Sequence, residues 1–132
     1  MSNIDPLAIV TDFCSAWERR SLEDVLSYLA PDVVYQNVPI PAMHGKDKTA
    51  AFLAPIIKNT IKIDFELLNV AVSRQGDEVL TERMDRLHFA GGTVDIPVMG
   101  IFVIRDGKIA QWRDYSDNAG VAAELARVGF VV

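Results

Sequence analysis

The sequence predicts an α+β fold, with helices gathered at the front of the chain and long antiparallel strands behind them. Apolar residues recur at helical spacing through much of the first half, and from Ile61 onward the period changes to two. A curved sheet wrapping a few helices encloses a pocket. With 132 residues, 50% of them hydrophobic, and no repeat, linker or low-complexity run, one domain over residues 1–132 is expected.

The elements follow in order. Asp5-Pro6 is a helix start, because Asp caps and Pro fits the first turn. Val10, Phe13, Cys14 and Trp17 then form one buried stripe. Ser21-Leu22-Glu23-Asp24 resembles a capping box, and Leu22, Val25, Leu26 and Leu29 carry a second helix as far as Pro31. Val33 to Val38 reads as a short strand ended by Pro39 and Pro41. Past His44-Gly45, a helix from Lys46 to about Lys58 contains Ala51, Phe52 and Leu53, with Pro55 expected to kink or shorten it.

Ile61, Ile63, Phe65 and Leu67 then alternate with polar residues, and Gln75-Gly76-Asp77 turns into a strand over Glu78–Phe89. Gly91-Gly92 is the next turn, followed by a strand from Thr93 to Ile104 interrupted at Pro97 and Gly100. Asp106-Gly107 signals a hairpin into Lys108–Tyr115. Ala119 to Val128 is expected to hold a last helical turn or two.

Composition excludes several functions. A net charge of -5 disfavours nucleic acid as a partner, since phosphate binding needs a basic face. No apolar run approaches a membrane span, and the opening MSNIDPLAIV lacks a basic-then-apolar signal segment. The single cysteine, Cys14, cannot form an internal disulfide, and a cytoplasmic location is expected.

Chemistry concentrates in three pairs spaced two apart. The strand over 78–89 turns Val79, Thr81, Arg83, Asp85, Leu87 and Phe89 to one side, so an arginine and an aspartate sit in the middle of its more apolar face. Tyr35 and Asn37 share one side of another strand, as do Trp112 and Asp114 on a third. Two carboxylates close together in a poorly hydrated cavity push one pKa up, so one tends to keep its proton. An arginine between them can hydrogen-bond both through its planar fork.

Each residue also has a plainer reading. Arg83 with Asp85 could be a structural salt bridge at a sheet edge, and Asp114 with Arg113 a solvated ion pair. Tyr35 could be a core ring, Asn37 could prepare the Val38-Pro39 turn, and Trp112 could serve packing alone. Cys14 suits core packing. His44 and His88 lack metal-ligand company. There is no nucleophile elbow and no glycine-rich phosphate loop.

The order Y-x-N, R-x-D, W-x-D, on front helices and a curved sheet, closely resembles the limonene-1,2-epoxide hydrolases across nearly the whole chain. That resemblance implies the cone-shaped α+β fold of nuclear transport factor 2, shared with ketosteroid isomerases and SnoaL-like cyclases. It also implies one-step hydrolysis of a small apolar epoxide to a vicinal diol, with no cofactor, no metal and no covalent intermediate. By the same resemblance Asp114 is the base that deprotonates a water held by Tyr35 and Asn37, and Asp85 is the acid for the epoxide oxygen. Arg83 bridges the two aspartates, and Trp112 braces the acid by a hydrogen bond. A homodimer is implied as well.

Leu87, Cys14 and Trp17 are expected as wall residues of the substrate pocket. The short segment before the first helix leaves no N-terminal extension to help cover the site, and the effect of Pro97 and Gly100 on the pocket is not readable in the sequence. Two rivals stand beside this reading. A ketosteroid-isomerase-like enzyme would use a tyrosine and a protonated acid as an oxyanion hole, against which the cation at Arg83 favours an ionised Asp85. A non-catalytic binding module would use the cone as a ligand pocket.

Overall fold

The computed structural model of the protein describes residues 5–130. Among them, helix α1 spans Pro6–Glu18, α2 Leu22–Ser27, α3 Lys46–Asn59 and α4 Asn118–Arg127. The strands are β1 Leu29–Val38, β2 Met43–His44, β3 Thr60–Val72, β4 Glu78–Phe89, β5 Gly92–Arg105 and β6 Lys108–Tyr115. They form one six-stranded sheet in the order β2-β1-β6-β5-β4-β3. All pairings are antiparallel except that of β1 with β6, which is parallel.

The helix starts follow their caps. The Asp5 carboxylate accepts from the Leu7 N–H, and the Ser21 hydroxyl accepts from the Asp24 N–H. α1 buries Ile9, Val10, Phe13, Cys14, Ala16 and Trp17, the expected stripe. α2 is shorter than its stripe predicts. It ends at Ser27, because Leu29 has joined β1 opposite Ile109. Pro31 falls in the irregular stretch between the paired residues Leu29 and Val34, where a missing N–H costs no ladder bond.

Other expectations are refined or corrected. α3 runs past Pro55 to Asn59, and Asn59 Nδ2 donates to the Pro55 carbonyl. In β3 the register shifts between Thr60 and Lys62, so Ile61 faces outward while Ile63 and Phe65 enter the core. β5 is unbroken from Gly92 to Arg105. Its pairing with β6 ends at Met99 opposite Tyr115, so Pro97 lies where one flank of β5 has no strand beside it. α4 is also longer than a turn or two, at 10 residues, and Asp117 caps it by accepting from the Gly120 N–H.

The core lies between α1 and the concave face of the sheet. Phe13 is its centre, edge-on to Trp17, Tyr28, Phe102 and Trp112 at centroid distances of 6.5, 6.1, 5.8 and 5.1 Å. No helix among the described residues is long and apolar enough to cross a membrane. Phe13→Ala is expected to cost about 3–5 kcal/mol, the usual range for a buried aromatic. Urea denaturation checks it: the midpoint should fall sharply while the slope stays unchanged.

Candidate active site

β4 alternates as its sequence requires, burying Val79, Thr81, Arg83, Asp85, Leu87 and Phe89 on the concave face. Arg83 is 1% exposed and uses all five of its N–H groups. Nε and Nη2 donate to the two oxygens of Asp85, each at 3.0 Å. Nη2 and Nη1 donate to the two oxygens of Asp114 at 3.0 and 3.3 Å. Nη1 also donates to the Thr81 hydroxyl at 3.2 Å, and that hydroxyl donates in turn to the Gly100 carbonyl at 3.2 Å. The Phe65 and Phe102 rings flank the guanidinium carbon at 5.4 and 5.6 Å.

Gly100 is the residue whose role the sequence left unread. Arg83 on β4 and Asp114 on β6 are separated by β5, where Gly100 lies opposite both Thr81 and Asp114. A β-carbon there would sit 2.5 Å from Asp114 Oδ1 and closer still to Arg83 Nη1. The missing side chain is what lets the two charges meet across an intervening strand.

The parallel β1–β6 pairing sets Tyr35 opposite Trp112 and Asn37 opposite Asp114. Tyr35 stacks on Trp112 with centroids 4.0 Å apart, and Asn37 Nδ2 lies 3.0 Å from the Tyr35 hydroxyl. Trp112 Nε1 donates to Asp114 Oδ1 at 2.9 Å. This corrects the expected bond from Trp112 to Asp85. Residues 112 and 114 are next-but-one on the same strand face, so the indole meets its own strand's carboxylate first.

The electrostatics are uneven. Burial raises the Asp85 pKa above its ordinary 3.8, outweighing the Arg83 charge and hydrogen bonds, with Asp114 adding to the rise. The Arg83 cation favours the ionised form of Asp85, as expected, but burial outweighs it. Burial opposes the Arg83 charge, yet the two carboxylates, Asp114 foremost, hold its pKa well above the usual range. Burial, then the Asp114 charge, drives Tyr35 upward. Burial also pushes the Cys14 thiol up to about 12.

A cavity of about 130 Å³ opens against this cluster. Tyr35, Asn37, Asp85, Trp112 and Asp114 line it, as do Trp17 and Leu87, while Arg83 sits behind the carboxylates. Cys14 does not line it. It is buried in the core and is no wall residue. Sequence reasoning missed much of the apolar wall: Phe52, Leu53 and Ile56 of α3, Ile96 and Val98 of β5, and Val121, Leu125 and Phe130 in and beyond α4. The spacing of Val121, Leu125 and Val128 was the available signal for a helix with an inward face. Among the described residues no group of three or more His, Cys, Asp and Glu could hold a metal ion. His88 instead bonds Asp64 and Thr93 on the outer face of the sheet.

Fold and site together define an α+β cone with a buried carboxylate–arginine–carboxylate cluster at the bottom of an apolar pocket. A protein of ketosteroid isomerase-like fold from Catenulispora acidiphila DSM 44928 shares the fold at 22% identity, covering 92% of each chain with a TM-score of 0.74. A model of the limonene-1,2-epoxide hydrolase catalytic domain matches residues 4–127, and the chain belongs to that family. The epoxide hydrolase EphG of Mycobacterium tuberculosis is 33% identical over 108 residues, 82% of this chain and 70% of EphG. A solved M. tuberculosis LEH-like epoxide hydrolase is 30% identical, covers 93% of this chain and 90% of its own, and has a TM-score of 0.74.

Two outcomes are expected. Because the folded pKa of Asp85 lies above its unfolded value, the stability it contributes is full below about pH 4 and declines as pH rises through the folded value. Unfolding free energies of wild type and Asp85→Asn, measured from pH 4 to 7, should therefore show the wild type losing ground to the variant as pH increases. Gly100→Ala should destabilise the fold by about 1–3 kcal/mol through overpacking, read in a thermal melt.

Proposed function

We propose that the protein is a cofactor-independent epoxide hydrolase, one domain over the whole chain, acting on a small apolar epoxide of the limonene-oxide or cycloalkene-oxide type. The observation that carries this is the unequal supply of hydrogen-bond donors to the two carboxylates. Asp114 accepts three hydrogen bonds, two from Arg83 and one from the Trp112 indole, whereas Asp85 accepts two. More donors favour the ionised form, so Asp114 serves as the carboxylate base and the more proton-retentive Asp85 as the acid. Tyr35 and Asn37, beside Asp114, anchor the attacking water.

The step is concerted. The water oxygen bonds to an epoxide carbon as its proton passes to Asp114, the carbon–oxygen bond breaks, and the released oxygen takes the Asp85 proton. The product is a vicinal diol, and one proton returns from Asp114 to Asp85 to reset the site. Ring strain already drives opening, so acid and base contributions of about 10²–10⁴-fold each, with a held water, are adequate. A cytoplasmic homodimer completes the proposal. Leu80, Met99 and Tyr115, exposed on the outer sheet face, support an association surface there.

A second reading is a ketosteroid-isomerase-like activity, favoured by the raised pKa of Asp85 on this fold. Isomerisation of an enone with no diol from any epoxide would establish it instead. The direct test is diol formation from limonene-1,2-oxide and cyclohexene oxide with excess chelator present. Asp114→Asn is expected to lower the rate by about 10²–10⁴-fold. Undiminished turnover by the folded variant would remove Asp114 from the mechanism.

A further inference from the structure

Thr81 is a polar side chain of the interior that the mechanism leaves unused. It is 1% exposed and does not line the cavity. On β4 it precedes Arg83 by two and shares its face. Its hydroxyl accepts from Arg83 Nη1 at 3.2 Å and donates to the Gly100 carbonyl at 3.2 Å.

The branches of the Arg83 guanidinium are divided unevenly. Nε serves Asp85 alone, Nη2 serves both carboxylates, and Nη1 serves Asp114 and Thr81. The Nη1 bond to Asp114 Oδ1, at 3.3 Å, is the longest that the fork makes to a carboxylate. A planar guanidinium fixes both N–H directions of a branch together, so an acceptor on one N–H aims the other. Thr81 suits this task. Donation to Gly100 commits its proton and leaves a lone pair for Nη1, and branching at the β-carbon keeps the hydroxyl in place. Gly100 makes the room: a β-carbon there would lie 3.2 Å from the Thr81 oxygen, besides meeting Arg83 and Asp114.

We propose that Thr81 is a positioning residue for the reaction, locking the Nη1 branch of Arg83 onto Asp114 and so holding the base in place. This rests on the hydrolase reading, which makes Asp114 the base. Without the hydroxyl, one buried N–H of Arg83 loses its acceptor, and turning the guanidinium to find another draws Nη1 away from Asp114. The loss falls on the chemical step and not on substrate binding, because the cavity wall is untouched.

Two measurements test it. kcat and KM for cyclohexene oxide are compared in wild type, in Thr81→Val, which keeps the branched shape, and in Thr81→Ser, which keeps the hydroxyl. Thr81→Val should lower kcat about ten- to hundredfold, the worth of one hydrogen bond to a charged group, and change KM less than about twofold. Thr81→Ser should stay within about threefold of wild type in kcat. A folded Thr81→Val with undiminished kcat, or with a loss carried by KM, overturns the inference. So do Val and Ser variants that are equally slow, which would make the methyl and not the hydroxyl the working part.

The second readout needs no turnover. In ¹⁵N spectra of the wild type, Nη1 and Nη2 of Arg83 should exchange slowly, and Thr81→Val should speed their exchange by about tenfold or more. Fast exchange in the wild type overturns the inference whether or not the variant folds, and equal rates in the two proteins overturn it as well. Slow exchange that Thr81→Val accelerates, with no diol from any epoxide, upholds the Thr81 anchor and sinks the hydrolase reading.

Discussion

Removing one guanidinium and two carboxylates from water costs several kcal/mol per ion, and attraction alone seldom repays it. Here the cost is met because the Arg83 fork is saturated: each N–H has an acceptor between 3.0 and 3.3 Å away. That saturation constrains everything around it. Asp85 must follow Arg83 by two on one strand, Asp114 must come from β6, and the strand between them must present no side chain where the charges meet. Gly100 satisfies the last requirement.

The same cluster ties stability to chemistry. Trp112 is at once the edge partner of Phe13 in the core, the stacking platform for Tyr35 and the donor to Asp114. Phe65 flanks Arg83 and stacks on Trp17. Core packing thus holds the polar groups at fixed angles, which is what catalysis by preorganised groups needs. The uneven distribution of donors between Asp114 and Asp85 then separates two chemically identical side chains. Asp114 accepts three hydrogen bonds and Asp85 two.

Much of this was local and so legible. The β4 alternation, the caps at Asp5 and Ser21, and the three pairs spaced two apart all follow from the geometry of a few consecutive residues. Misreadings arose where a local pattern met a distant partner. Ile61 continued an alternating run, but a register shift in its pairing with β4 turned it outward. Leu29 continued a helical stripe, but pairing with Ile109 drew it into a strand. Cys14 and Trp17 lie on one face of α1, yet the indole reaches the cavity and the smaller thiol stays in the core.

The sequence by itself therefore determined most of the elements, the inward face of β4 and the polar pairs that gather at the site, because periodicity and capping are written in neighbouring residues. Tertiary structure alone decided that β1 lies parallel beside β6, bringing Asn37 next to Asp114. It also decided that Trp112 serves Asp114 and not Asp85, that Gly100 is the gap through which Arg83 reaches, and that Val121, Leu125 and Phe130 line the pocket. Those outcomes depend on contacts between residues tens of positions apart, and on a desolvation balance at Asp85 that exists only once the interior has formed.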